Sequence, residues 1–171
     1  MIFGMSTATF TLVHVLISLV GIGSGLIVLF GLLKAKRLDG WTGLFLATTV
    51  ATSVTGFGFP FEQLLPSHKV GIISLVVLAI AILARYAFHL AGSWRWIYVV
   101  TALIALYLNV FVAIVQAFQK VTALKELAPT QTEPPFLVTH LIVLVLFIVL
   151  AVMAVKRFHT ERPGLAKSTT A

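Results

Sequence analysis

The stretch FLVTHLIVLVLFIVLAVMAV, residues 136–155, decides the fold. It carries no Lys, Arg, Asp or Glu, and about 20 apolar residues in a helix cover a hydrocarbon core of about 30 Å. In water such a helix would have no polar face to present, whereas in lipid it needs none. Working outward from it, four further apolar stretches precede it: Phe10 to Leu33, Trp41 to Phe59, Ser67 to Leu90 and Trp94 to Phe118. The sequence therefore predicts an all-α polytopic integral membrane bundle with five transmembrane helices. Residues 1–171 form one transmembrane domain, with spans at about 10–33, 41–59, 67–90, 94–118 and 136–155 and a polar tail over 156–171.

Composition points the same way. The 171 residues are 60% hydrophobic and 10% charged, against about a quarter charged in a soluble domain. A water-soluble enzyme is excluded on that ground. The net charge of +7 does not make a nucleic-acid binder, because the basic residues are too few and too scattered for a patch. With no cysteine, disulfides, thiolate metal sites and iron–sulfur clusters are excluded as well. Met1 to Thr11 has no Lys or Arg, and the apolar run after it exceeds the 7–15 residues of a signal-peptide core. The first span is expected to be retained.

Alternate loops set the orientation. One side holds Lys34, Lys36, Arg37, Arg85, Arg95, Lys156, Arg157, Arg162 and Lys167, while the other holds Lys69, Lys120 and Lys125. This asymmetry predicts a cell (inner) membrane protein with its N-terminus outside and its C-terminus in the cytoplasm. The lipid bilayer is the first expected partner, and the net charge faces its inner leaflet.

Small and polar residues mark packing faces in lipid, where helices have little hydrophobic drive to associate. The first span carries His14, Ser18, Gly21 and Gly25 on one stripe. The third carries Ser67, Gly71, Ser74, Leu78, Ala81 and Arg85, and the fourth Ala102, Ala105, Asn109, Ala113, Gln116 and Lys120. The second is rich in threonine, and the fifth is almost uniform Leu, Val, Ile and Phe. The fifth is expected at the edge of the bundle or against another copy. Between the second and third spans, residues 56–68 contain Pro60, which interrupts a helix, and are expected to dip back into the outer interface. Pro66-Ser67 reads as a helix start. Trp94, Trp96 and Tyr98 read as an aromatic belt at the inner boundary.

Ionisable groups inside membrane segments are the candidates for function. His14, His68 and His140 share one outer layer with Glu62. That set suits a haem iron held axially by His14 and His140, or one Zn²⁺ or Cu²⁺; the competing expectation is that these imidazoles only reach the headgroups. Asn109, Gln116 and Thr52 form a polar interior that either lines a solute path or ties helices together, with Thr52 as the partner of Asn109. At the inner face, Arg85, Tyr86 and His89 end the third span, and Arg85 is placed to pair with Asp39. A headgroup or quinone-head site would fit there, although simple snorkelling of Arg85 to the interface explains it with less.

No catalytic signature occurs, and Gly21-Ile-Gly-Ser-Gly25 lies inside an apolar span with no strand before it, which makes it a packing motif. The chain resembles cytochrome b-type bundles in outline, but lacks paired histidines at opposite depths of two helices. The expectation is an accessory or homo-oligomer-forming bundle, alone or in a larger membrane complex. Haem b or metal binding is the alternative, and an oligomeric channel for a small solute the second alternative.

Overall fold

The computed structural model describes residues 4–59 and 66–158. Every helix or other regular element it forms is helical: α1 (Thr7–Leu33), α2 (Asp39–Gly56), α3 (Pro66–Ile82), α4 (Trp94–Lys120), the short α5 (Thr122–Leu127) and α6 (Pro134–Arg157). A π-turn, Leu83–Ala87, continues α3. Ser6 caps α1 by accepting from the Thr9 N–H at 3.1 Å, satisfying one of the orphaned amides of the first turn. Pro134 and Pro135 open α6, where a missing N–H costs nothing, and Lys156 and Arg157 close it.

Among the described residues four segments are long and apolar enough to cross a membrane: Thr7–Leu33, His68–Ala87, Trp94–Lys120 and Pro134–Arg157. The expected second span is the exception. Helix α2 has 18 residues, about 27 Å at 1.5 Å per residue, and half of them are Thr, Ser or Gly. The chain is thus an all-helical protein with four membrane-length helices, plus one shorter, more polar helix packed among them.

Antiparallel neighbours build the bundle. Along α1 and α2 the contacts run His14 to Thr55, Ser18 to Thr52, Gly21 to Thr48 and Thr49, and Gly25 to Phe45. Each step down one helix is a step up the other. The glycines are what permit this approach. A Cβ at Gly25 would stand 2.6 Å from Leu106 Cδ1 and 2.9 Å from the Phe45 ring, while Gly23, on the opposite face, would meet nothing within 4 Å. Gly21-Ile-Gly-Ser-Gly25 is therefore a packing surface of α1.

Helix α4 touches α1, α2, α3 and α6, and its inner half supplies much of the core: Tyr98, Val99, Ala102, Leu103, Ala105 and Leu106 are all buried. On α3, Gly71 sits over the Phe57 ring and Ser74 accepts from the Ser53 hydroxyl at 3.1 Å. Farther along, Leu78, Ala81 and Arg85 are buried on the same stripe. Helix α6 packs on α4 and α1 but leaves Leu141, Ile142, Val145, Leu146 and Val149 exposed. It lies at the edge, as its featureless sequence predicts.

Candidate functional site

The three histidines His14, His68 and His140 do not form one site. The Thr55 hydroxyl gives its proton to the Ala51 carbonyl at 2.7 Å, so it accepts from His14 Nδ1 at 2.8 Å. The His14 ring stands edge-on to Phe59, with centroids 5.3 Å apart. His68 is buried and tilts against Phe57 at 5.5 Å. On α6, His140 donates from Nδ1 to the Phe136 carbonyl one turn back at 3.0 Å. Its ring is held between Phe111 and Phe136, at 4.6 and 4.3 Å. Among the described residues no group of three His, Asp or Glu side chains is arranged to hold a metal ion. Glu62 lies outside the described residues, as does the middle, 60–65, of the expected re-entrant segment 56–68, whose ends Gly56 and His68 belong to α2 and α3. What the geometry does fix is a tautomer. In neutral His14 and His140, Nδ1 carries the proton and Nε2 keeps its lone pair. The His140 Nε2 is sealed from solvent without a hydrogen-bond partner.

Farther out, the turn before α6 is organised by Glu133. Its carboxylate accepts from the Thr130 hydroxyl at 2.8 Å and from the Thr130 and Thr132 amides at 3.0 Å each. Desolvation works to raise the Glu133 pKa, but these hydrogen bonds outweigh it and hold the carboxyl below its ordinary value.

The mid-bundle polar groups join helices. Asn109 Nδ2 donates to Thr49 Oγ1 at 3.4 Å, one turn from the expected partner. Thr52 instead faces the Ser18 hydroxyl at 3.4 Å. Gln116 is exposed, so it does not line the interior of one chain. The stripe containing it leaves the core after Ala105, because the outer half of α4 has fewer neighbours to cover it. Below Asn109 the seam is closed by Phe45 and Leu106, each 1% exposed, against Gly25.

At the opposite end of the bundle the expected pair of Arg85 with Asp39 is present, but its setting is different from the expected one. Arg85 does not snorkel: it is 4% exposed and ion-paired with the Asp39 carboxylate, whose side chain is 74% exposed. Its guanidinium lies 5.2 Å from the Tyr98 ring centroid and 5.8 Å from that of Tyr86, within cation–π reach. Tyr98 is not part of a boundary belt either. It is wholly buried, and its hydroxyl lies beside Thr42 and Arg85 without closing a hydrogen bond of ordinary geometry. Trp94 stacks on Phe88 with ring centroids 3.9 Å apart, and Trp96 is exposed. His89 is exposed in the turn after the π segment, with φ at 51°, and takes no part in the cluster.

The π-turn places Arg85. One extra residue per turn around Leu83–Ala87 rotates the end of α3, and such turns recur at functional positions. The sequence signal for its burial was present in the four-and-three spacing from Gly71 through Ser74, Leu78 and Ala81 to Arg85. Tyr98 carried a comparable signal, standing four residues before Ala102 on the stripe of Ala102, Ala105 and Asn109, although Trp94 and Trp96 beside it face outward or half outward.

Fold and sites together define an all-helical membrane protein. No family of known proteins, no characterised relative and no solved structure matches this chain.

Proposed function

We propose that the protein is an accessory bundle of the inner membrane that assembles, with copies of itself or in a larger membrane complex, through α6. In this reading α2 is a fifth span, the N-terminus is outside and the C-terminus is cytoplasmic, as the Lys and Arg distribution requires. The observation that carries it is the contrast between α6 and the rest. Only 6% of the membrane-crossing window of α6 is buried, against 28–39% for the other three, while Gly21 and Gly25 of α1 pack closely on α2 and α4. That close approach argues for a packing role over a conduit within one chain. Because the chain has no cysteine, single cysteines report cleanly. In native membranes, Val145→Cys and Val149→Cys on α6 are expected to cross-link between copies, and Ile73→Cys on the exposed face of α3 is not. Equal cross-linking at all three positions, with a monomeric mass in mild detergent, would sink the reading.

A second reading is favoured by one specific feature, the sealed and unpartnered Nε2 of His140. A ligating histidine commonly donates its other N–H to a backbone carbonyl, which is what His140 does with Phe136. The reading is haem b or a divalent metal bound through His140 Nε2. Oxidised and dithionite-reduced spectra of purified protein test it. A Soret band lost in His140→Ala is its expected result, and a colourless, metal-free preparation from haem-supplemented cells counts against it.

A further inference from the structure

The Arg85 cluster contains three unsatisfied features that converge on one point. The first is a buried guanidinium, 4% exposed, whose anionic partner is a carboxylate mostly in water. An anion that leaves the solvent more completely would neutralise it better, because charge-assisted pairs strengthen as water is excluded. The second is the Tyr98 hydroxyl, fully buried and without a hydrogen-bond partner, a state that costs free energy until an acceptor arrives. The third is the start of α2. Leu38 precedes it and offers no side-chain cap, so the first-turn amides and the positive end of the helix dipole are open to an anion. Asp39 is the first residue of that helix, and its carboxylate is the only acid that reaches the cluster among the described residues. Arg37 Nε stands 4.0 Å from the same carboxylate oxygen, ready to receive it if it swings outward.

We propose that Arg85, Tyr98 and the uncapped start of α2 form a binding site for a phosphate-bearing anion, whose place is held by the Asp39 carboxylate. A phosphate group matches this donor set better than a carboxylate does. It offers more acceptor oxygens, enough for the guanidinium, the phenol and an α2 amide at once, and Arg recognises it in a bidentate fashion. The site lies at the end of the bundle that bears Lys34, Lys36 and Arg37, all exposed, which would draw anions to it. Two sources carry this chemistry: the headgroup of an anionic lipid in the adjoining leaflet, or a soluble phosphate. The proposal is independent of how α6 is used.

The full chain in mild detergent tests it with two probes. Native mass spectrometry reads retained phosphatidylglycerol, and phosphorus NMR line broadening reads inorganic phosphate. Asp39→Asn removes the internal competitor while keeping a polar first residue, and is expected to raise affinity about tenfold for the physiological probe. Tyr98→Phe removes a donor that is idle in the free protein. It should lower that affinity about tenfold, the scale of one hydrogen bond to a charged acceptor, with helix content unchanged and the melting temperature of the free protein raised, since the unpaired buried hydroxyl is gone. Arg85→Gln is expected to abolish binding; should it fail to fold, the other two variants still decide. A response confined to phosphatidylglycerol assigns the site to lipid, and one confined to inorganic phosphate assigns it to a soluble ligand. If Asp39→Asn raises affinity for neither probe, or Tyr98→Phe binds both like the wild type, the proposal is overturned. The latter outcome would mean that general attraction to the basic end explains any retention.

Discussion

Gly25→Leu is expected to prevent assembly of the bundle, with little folded protein recoverable in detergent. The reason is local and steric. Even the first atom of a side chain at this position would stand 2.6 Å from Leu106 and 2.9 Å from Phe45. Both neighbours are 1% exposed, and the Phe45 ring cannot retreat without displacing α2. Overpacking a filled interior costs about 1–3 kcal/mol per site, occasionally more. Here a four-carbon side chain would have to separate α1 from α2 and α4 together. In a bilayer the lost contacts are not recovered by a hydrophobic penalty elsewhere, since lipid solvates separated helices well. Gly23→Leu is the matched control, two residues away on the same helix with open space around it. It should fold normally, and melt slightly higher because glycine in a helix interior costs about 1 kcal/mol relative to a good helix former. Circular dichroism melts of the two variants check the contrast. Equal melting temperatures would show that Gly25 is not at a helix contact.

The second expected result inverts the usual rule that surface substitutions are mild. Asp39→Ala, at a position whose side chain is 74% exposed, should destabilise the protein more than Arg85→Met at a 4% exposed one. Removing the carboxylate strands a guanidinium in a low-dielectric interior, and an unpaired buried charge costs about 3–5 kcal/mol. Some of that is relieved by the Tyr98 and Tyr86 rings, so about 2 kcal/mol is expected to remain. Arg85→Met keeps the length of the side chain and removes the charge. It leaves Asp39 where water already solvates it, so the loss should be below about 1.5 kcal/mol, as for a volume-conserving exchange. Asp39→Ala combined with Arg85→Met should then lie closer to Arg85→Met than to Asp39→Ala. Phosphate or anionic lipid should recover part of the loss in Asp39→Ala and none in Arg85→Met. The opposite ranking of the two single variants would place Arg85 in contact with water.

How much of this was legible beforehand differs from one residue to the next. His14, Ser18, Gly21 and Gly25 share a stripe by spacing alone, and all four face α2 in the fold. The edge position of α6 follows from a sequence with no small-residue face. The pairing of Arg85 with Asp39 is legible from their positions and its burial from its stripe, which here prevails over the general tendency of arginine to snorkel. Gln116 is the converse case. Its stripe continues from Ala105 through Asn109, but a stripe lies inside only where another helix covers it. The distances of His14, His68 and His140 from their helix ends suggest a shared depth. Depth fixes one coordinate of three, and the structure gives each imidazole different neighbours.

By itself the sequence determined the class of fold and the approximate ends of its helices. Both depend on properties of single segments: an apolar run long enough for the bilayer, prolines and glycines that break it, and charges that cannot enter it. Which face of each helix meets which neighbour was decided only by tertiary structure. Contact between α1 and α4, between the ends of α2 and α3, or around the Tyr98 hydroxyl depends on the order of helices around the bundle and on their rotation. Those are set by side-chain packing summed over many distant pairs, such as Gly25 with Leu106 and Asp39 with Arg85, and no local window of the chain contains them.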